Sequence, residues 1–228
     1  MKENNVKYIL TGLLALGLST HALTDHLSFD ETRFSGDINY ASDYIFRGVS
    51  QAGKPVVSVS AVVSDLPAGA YVGVWSSDVD FSRDGDSETT REVDFFGGFV
   101  TQIADNLTVD LGYIRYQYDG IVDDIEEVYA VVNWGNLTLS NYTDTNTHDN
   151  YAEVGYSFGW LFGDAFDVSF IYGLYDEDDT FTMLSASKNF GSSDQWTFGV
   201  LIGEDVLDGQ ASNSIHASIN YNFGFTRG

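Results

Sequence analysis

Carboxylates are the side chains this sequence offers most freely for chemistry. Asp84-Gly-Asp86, Asp123-Asp124 with Glu126-Glu127, and Asp176-Glu-Asp-Asp179 are clustered hard-oxygen donors of the kind calcium and magnesium prefer. None keeps the twelve-residue EF-hand spacing with its central glycine and terminal glutamate, so they read as solvated loop surface and no metal site is assigned. Nucleophilic catalysis would need a serine beside a histidine base and an orienting carboxylate. Past residue 22 the histidines are His26, His148 and His216, and the loop that holds His148 with Asp144 and Asp149 has no serine. With no Cys, thiolate catalysis, zinc–thiolate sites, iron–sulfur clusters and disulfides are excluded. Gly97-Gly98 lacks the following helix of a phosphate loop and reads as relief in a curved strand. The chain is not expected to be an enzyme, and no cofactor is implied.

Charge narrows the partners. Asp plus Glu number 34 against 10 Lys plus Arg, a net charge of −24 over 228 residues. Such a surface repels phosphate backbones, which excludes nucleic acid. Disorder is excluded as well, because 14 Tyr, 16 Phe and 4 Trp are far too many aromatics for an unfolded acidic chain.

The elements that must position these residues show in a hydrophobic period of two. In Phe34–Arg47 the even positions Phe34, Ile38, Tyr40, Tyr44 and Phe46 alternate with Asp37, Asn39, Asp43 and Arg47. Near the end, Ile215, Ala217, Ile219, Tyr221, Phe223 and Phe225 alternate with Ser214, His216, Ser218, Asn220, Asn222 and Gly224. Similar runs at Val56–Ser64, Ala70–Val79, Arg91–Thr101, Leu107–Tyr118, Glu127–Trp134, Leu137–Tyr142, Tyr151–Trp160, Phe166–Tyr175, Phe181–Phe190 and Trp196–Ile202 bring the total to about twelve strands. Phe181–Phe190 is the least regular, since Leu184, Ala186 and Lys188 share a face. No helix is expected among them.

The connections alternate in kind. Asp65–Gly69, Gln102–Asn106, Gly135-Asn136, Leu161–Ala165 and Gly191–Gln195 are short, whereas Gly48–Pro55, Asp80–Thr90, Asp119–Glu126, Thr143–Asn150, Asp176–Thr180 and Gly203–Asn213 are mostly longer and more acidic. Short turns at one end and long loops at the other are the plan of an all-β, up-and-down antiparallel transmembrane β-barrel, with periplasmic turns and extracellular acidic loops. Trp134, Trp160 and Trp196 border short turns and Trp75 lies toward the long loops, which suits girdles at two interfaces. Residues 1–22 read as a signal peptide: Lys2 and Lys7, an apolar run from Tyr8 to Leu18, and Thr20-His-Ala22 before the cut. Residues 23–33 then form a short periplasmic segment and 34–228 the barrel.

If the apolar face meets lipid, the polar face lines a lumen. The lining candidates are Asp37, Asp43, Arg47, Asp78, Asp94, Asp110, Glu127, Glu153, Asp167 and His216, with Ser76, Tyr116, Ser169 and Asn220 beside them. Asp43 and Arg47, four residues apart on strand one near its outer end, are expected either as a lumenal pair that shapes the opening or, for Arg47, as one partner in a structural network tying the strand to its neighbours. Rings of carboxylates around a narrow bore attract cations. A barrel of about twelve strands lies between filled eight-strand barrels and wide porins, so the bore is expected to be narrow or plugged by an inward-folded loop.

The block Tyr40-Ala-Ser-Asp-Tyr-Ile-Phe-Arg-Gly-Val-Ser-Gln51 resembles the N-terminal signature of the TorF-family porins. Tyr71-Val-Gly-Val-Trp-Ser-Ser-Asp-Val-Asp-Phe81 and Asp110-Leu-Gly-Tyr-Ile-Arg-Tyr-Gln-Tyr118 are similar to its next two blocks. The resemblance implies a small outer-membrane barrel of a Gram-negative bacterium with a channel role. One departure is the ending, where Thr226-Arg-Gly228 follows Phe225 instead of an aromatic closing the chain. The reading is therefore an outer-membrane porin for small hydrophilic solutes or cations, monomeric and in contact with outer-membrane lipids and lipopolysaccharide. The alternatives are a non-conducting structural or adhesion barrel and, further off, a lipid-modifying enzyme.

Overall fold

The computed structural model describes residues 32–82, 85, 88–162, 165–175, 179–190, 196–207 and 210–227. The expected signal peptide, most of segment 23–33, and residues 84, 86 and 176–178 of the acidic runs lie outside the described residues. Among the described residues, twelve strands make one wall. They are β1 (Thr32–Ala41), β4 (Val56–Leu66), β5 (Ala70–Asp78), β6 (Arg91–Ala104), β7 (Leu107–Tyr118), β8 (Ile125–Trp134), β9 (Leu137–Asp144), β10 (Asn150–Ser157), β11 (Asp167–Tyr175), β12 (Thr180–Phe190), β13 (Trp196–Leu207) and β14 (Gln210–Arg227). Between β1 and β4 the chain also makes a two-strand hairpin of β2 (Ile45–Phe46) and β3 (Val49–Ser50).

Each wall strand pairs antiparallel with its sequence neighbours, and β1 closes the cylinder against β14 from Thr32↔Arg227 to Ala41↔Ser218. Closure removes both sheet edges, so every strand finds a partner on each side. Cross-strand partners share a face. Asn39 stands between Ser58 and Asn220, and one step along Ile38 stands between Val59 and Tyr221.

Burial assigns the faces. Ile215 is 73% exposed and Phe225 64%, and Tyr40, Val72, Phe99, Leu111 and Phe198 are likewise exposed, whereas Asn220 is only 6% exposed. A greasy exterior over an interior that mixes hydrogen-bonded polar groups with packed rings and aliphatics is the reverse of a water-soluble sandwich, and an apolar belt this extensive calls for hydrocarbon around it. No helix among the described residues is long and apolar enough to cross a membrane; in a closed barrel with such a belt the strands make the crossing. The irregular face of β12 points outward: Lys188 runs its stem along that face, and its amine donates to the Ala165 carbonyl at 2.9 Å and lies 5.3 Å from the Phe166 ring.

Three expectations need correction. The first strand ends at Ala41, not Arg47, because Ser42 begins an inward bend. A four-residue helical turn, α1 (Gly159–Phe162), takes the end of the expected strand Tyr151–Trp160 and the start of the expected turn Leu161–Ala165, where no helix is expected. Trp134, Trp160 and Trp196 stand exposed at the short-turn end, but Trp75 points inward and is buried against the Tyr44 ring at 5.0 Å, so it belongs to no girdle.

Candidate functional site

The bore is organised by the loop Ser42–Pro55. Its fold starts at Asp43, whose Oδ1 accepts from the backbone N–H groups of Tyr44 at 2.8 Å and Gly53 at 2.7 Å, while Oδ2 accepts from the Ser50 hydroxyl at 2.7 Å. One carboxylate thus staples the two arms of the hairpin together. At the tip Arg47 and Gly48 have φ of 45° and 88°, the two successive positive values of a type I′ turn. Gly48 suits the turn; Arg47 does not, and a bulky residue held there costs about 1–3 kcal/mol that its surroundings must offset.

Those surroundings are the inner wall on many sides. The Tyr44 ring packs on Trp75 of β5, its hydroxyl donates to Glu92 of β6 at 3.3 Å, and Phe46 lies edge-on to Tyr116 of β7. Arg47 reaches Glu127 of β8, and the Tyr175 hydroxyl of β11 donates to its carbonyl at 2.8 Å. Gly48 lies against Phe181 of β12. A segment that touches strands from β5 round to β12 can only lie inside the cylinder. Tyr44, Ile45, Phe46, Arg47, Gln51 and Ala52 are all buried. The long-loop end of the bore is plugged.

The Arg47 guanidinium is the plug's anchor. Nη1 donates to Glu127 Oε1 at 3.3 Å and Nη2 to Oε2 at 3.1 Å, a two-pronged pair in which both residues are almost wholly buried. The Tyr116 hydroxyl adds a third bond to Glu127 at 2.9 Å. The ring centroids of Tyr151 and Tyr142 stand 3.7 and 4.4 Å from the guanidinium carbon, so the cation lies on aromatic faces as well as on a carboxylate. Glu153, next inward residue to Tyr151 on β10, accepts from the Tyr151 hydroxyl at 2.7 Å.

Toward the short turns the inner wall carries more small and polar side chains, with Val62, Tyr71, Val100 and Val131 buried among them. The Tyr71 hydroxyl bridges both oxygens of Asp110 at 2.8 and 2.9 Å and also meets the Tyr129 hydroxyl. Ser60 donates to Asp37, Ser169 and Ser185 share a 2.6 Å bond, and Asn222 donates to Thr197 at 3.2 Å. On the side of β10 to β12 this half is solvent-reached: Asp167 and Asn189 are exposed on the inward face and Gly155 is half-buried. In the loops outside the wall, hydrogen bonds from Ser82 and Lys54 bring the Asp80 carboxyl down to about 2, and Arg115 holds Asp124 below the usual carboxylate range.

The structure places Asp37, Asp94, Asp110, Glu127, Glu153, Asp167 and His216 on the inward face. Asp94 is completely buried, two residues along the same face from the buried Glu92. Asp78 is a correction: with Ser76 it shares the outward face of Val72 and Val74, and it pairs with the exposed Arg91 at 2.6 Å. The inward residue of that strand end is Ser77. Asp43 and Arg47 are a second correction. They sit on the inserted loop instead of strand one, and they do not pair with each other, Asp43 stapling the loop while Arg47 anchors it. The wall residues that sequence reasoning missed are Glu92, Tyr142, Tyr151 and Tyr175. Their signal was present in the phase of the alternation: Glu92 is two residues from Asp94, and Tyr151 two from Glu153.

A closed wall, apolar outside and lined inside by carboxylates, hydroxyls and packed rings, with a loop folded into its lumen, defines a porin-like transmembrane barrel. The chain belongs to the Gcw_chp family, described as "Bacterial protein of unknown function", whose model matches residues 29–226. No curated protein matches it. Among solved structures it is similar to the KdgM porin, with a TM-score of 0.60 at 9% identity over 83% of this chain and 99% of that one. The KdgM porin in complex with disordered oligogalacturonate gives 0.54 at 8% identity, over 84% and 99% of the two chains. At such identity the likeness concerns the fold.

Proposed function

We propose that this protein is an outer-membrane channel for small hydrophilic solutes, with a preference for cations and a bore closed in the resting state by the loop Ser42–Pro55. The observation that carries the reading is the inner wall itself: a closed barrel with a lipid-facing exterior turns Asp37, Glu92, Asp94, Asp110, Glu127 and Glu153 into its lumen, against Arg47 as the buried cation among them. Carboxylates in a low-dielectric cylinder concentrate cations and repel anions. The porin fold of its structural neighbours and the resemblance of the Tyr40–Gln51 block to TorF-family porins support the same role and an outer-membrane location. In that setting the long acidic loops face outward, toward lipopolysaccharide, and the barrel works as a monomer. The test is planar-bilayer current across a potassium chloride gradient. A reversal potential on the cation side is expected, and one favouring chloride would reject the selectivity.

A non-conducting structural barrel is the second reading, favoured by the same plug. Shortening the loop separates them: a channel gains current when the plug is removed, and a scaffold whose remaining side chains fill the bore does not.

A further inference from the structure

The Arg47 side chain occupies a cage built almost wholly by the wall. Glu127 and Tyr116 come from β8 and β7, Tyr142 from β9, and Tyr151 and Glu153 from β10; the loop adds only Phe46, 5.2 Å from the guanidinium. The cage therefore survives when the loop leaves, and what remains is a carboxylate fork flanked by two aromatic faces. That is the chemistry that selects a planar guanidinium over a round ammonium, through two parallel bonds and stacking. Arg47 also reaches this place with a backbone angle its residue type rarely adopts. Strain in an occupant combined with complementarity in its cage is what a displaceable stand-in would show.

We propose that this cage is a recognition site for guanidinium-bearing solutes, filled by the chain's own Arg47 when none is present, and that such a solute frees the loop from the bore by taking its place. The proposal rests on the channel reading above. The acidic loops draw cations toward the plugged end, and the solvent-reached inward face of β10 to β12 gives a second approach. Because Arg47 competes from the same chain, at an effective concentration of roughly millimolar order for a short tether, a free solute must be present at comparable levels to displace it.

The probe is methylguanidinium chloride, with methylammonium chloride as the control, titrated calorimetrically into the purified full chain in detergent. R47A is expected to bind methylguanidinium at least tenfold more tightly than the unaltered protein and at least tenfold more tightly than methylammonium, and adding E127Q to R47A should remove the binding. R47K carries the same test if R47A fails to refold, since its ammonium is the weaker competitor. Loop release is read without any current: Q51C, in a chain with no other cysteine, should react severalfold faster with an impermeant thiol reagent when methylguanidinium is added. Equal binding by R47A (or R47K) and the unaltered protein, binding indifferent to E127Q, or Q51C labelling unmoved by the probe would each overturn the proposal. Binding and release as stated, in a protein that passes no current in any form, would sustain the cage and overturn the channel.

Discussion

The two halves of the bore are made by the same strands in the same alternating phase, yet they are built differently. Toward the long loops, the inward side chains are large and close on an inserted segment: Tyr116, Glu127, Tyr142, Tyr151 and Phe181 are all buried against Ser42–Pro55 or its anchor. Toward the short turns, Ser169, Ser185, Thr197 and Asn222 hydrogen-bond among themselves and leave solvent access beside β10 to β12. Alternation decides only that a side chain faces inward. Its size, and the presence of a loop to pack against, decide whether the lumen there is a core or a channel. A membrane barrel can therefore hold a packed core at one end and a looser, more polar stretch at the other.

Substitutions that break the packed half should cost far more than matched ones in the open half. Phe181→Ala removes a fully buried ring that lies against Gly48 and Tyr151, and a loss of about 3–5 kcal/mol is expected from the cavity, against under about 0.5 kcal/mol for Ser185→Ala. Unfolding in urea from lipid vesicles measures both. Glu127→Gln leaves the Arg47 guanidinium buried without its counter-charge; breaking such a pair from one side costs about 3–5 kcal/mol if the loop stays in place. Expulsion of the loop is the cheaper outcome, so hydrogen exchange at Tyr44–Gln51 should accelerate while the wall amides stay protected.

Two glycines sharpen the contrast further. A Cβ on Gly48 would lie 2.6 Å from the Phe181 Cβ, at a φ of 88°, so Gly48→Ala should destabilise the plug by about 1–3 kcal/mol. At Gly155, in the open half, the nearest atom would be 3.5 Å away, and Gly155→Ala should change stability by no more than about 0.5 kcal/mol. Paired melting curves of the two variants decide this. The smallest effect concerns Asp80, which ties the next loop to Lys54 of the plug loop at 3.0 Å. Its carboxyl is held at about 2, below the unfolded value, so the tie is present above the ordinary carboxylate range and is lost only as pH falls through about 2. A carboxyl carbon-13 titration should find Asp80 still ionised at pH 3.

Much of this was legible in the residues. Alternation in Ile215–Phe225 fixes which row meets lipid, because a one-residue slip would expose every polar side chain to hydrocarbon. The alternating loop lengths fix the number and direction of the strands. The first strand misled because Tyr44-Ile-Phe-Arg keeps the apolar–polar rhythm past Ala41, while burial of the loop reverses what that rhythm means: Tyr44, Ile45 and Phe46 are all inside. The local sign was Arg47-Gly48 between Ile45-Phe46 and Val49-Ser50, the spacing of a hairpin with a two-residue turn. Asp78 misled for a different reason. Near a strand end the lipid-facing row gives way to polar residues, so charge alone no longer marks the inner face. The partnership of Arg47 with Glu127, 80 residues apart, had no sequence signal at all.

The most direct test of the account is the single-channel conductance of the unaltered protein beside a form in which residues 43–54 are replaced by a short Gly/Ser link, both checked for heat-modifiable migration as folded barrels. A plug held in an otherwise passable bore predicts a severalfold larger, cation-preferring conductance in the shortened form. Equal conductance in the two forms would mean that the loop does not close the passage.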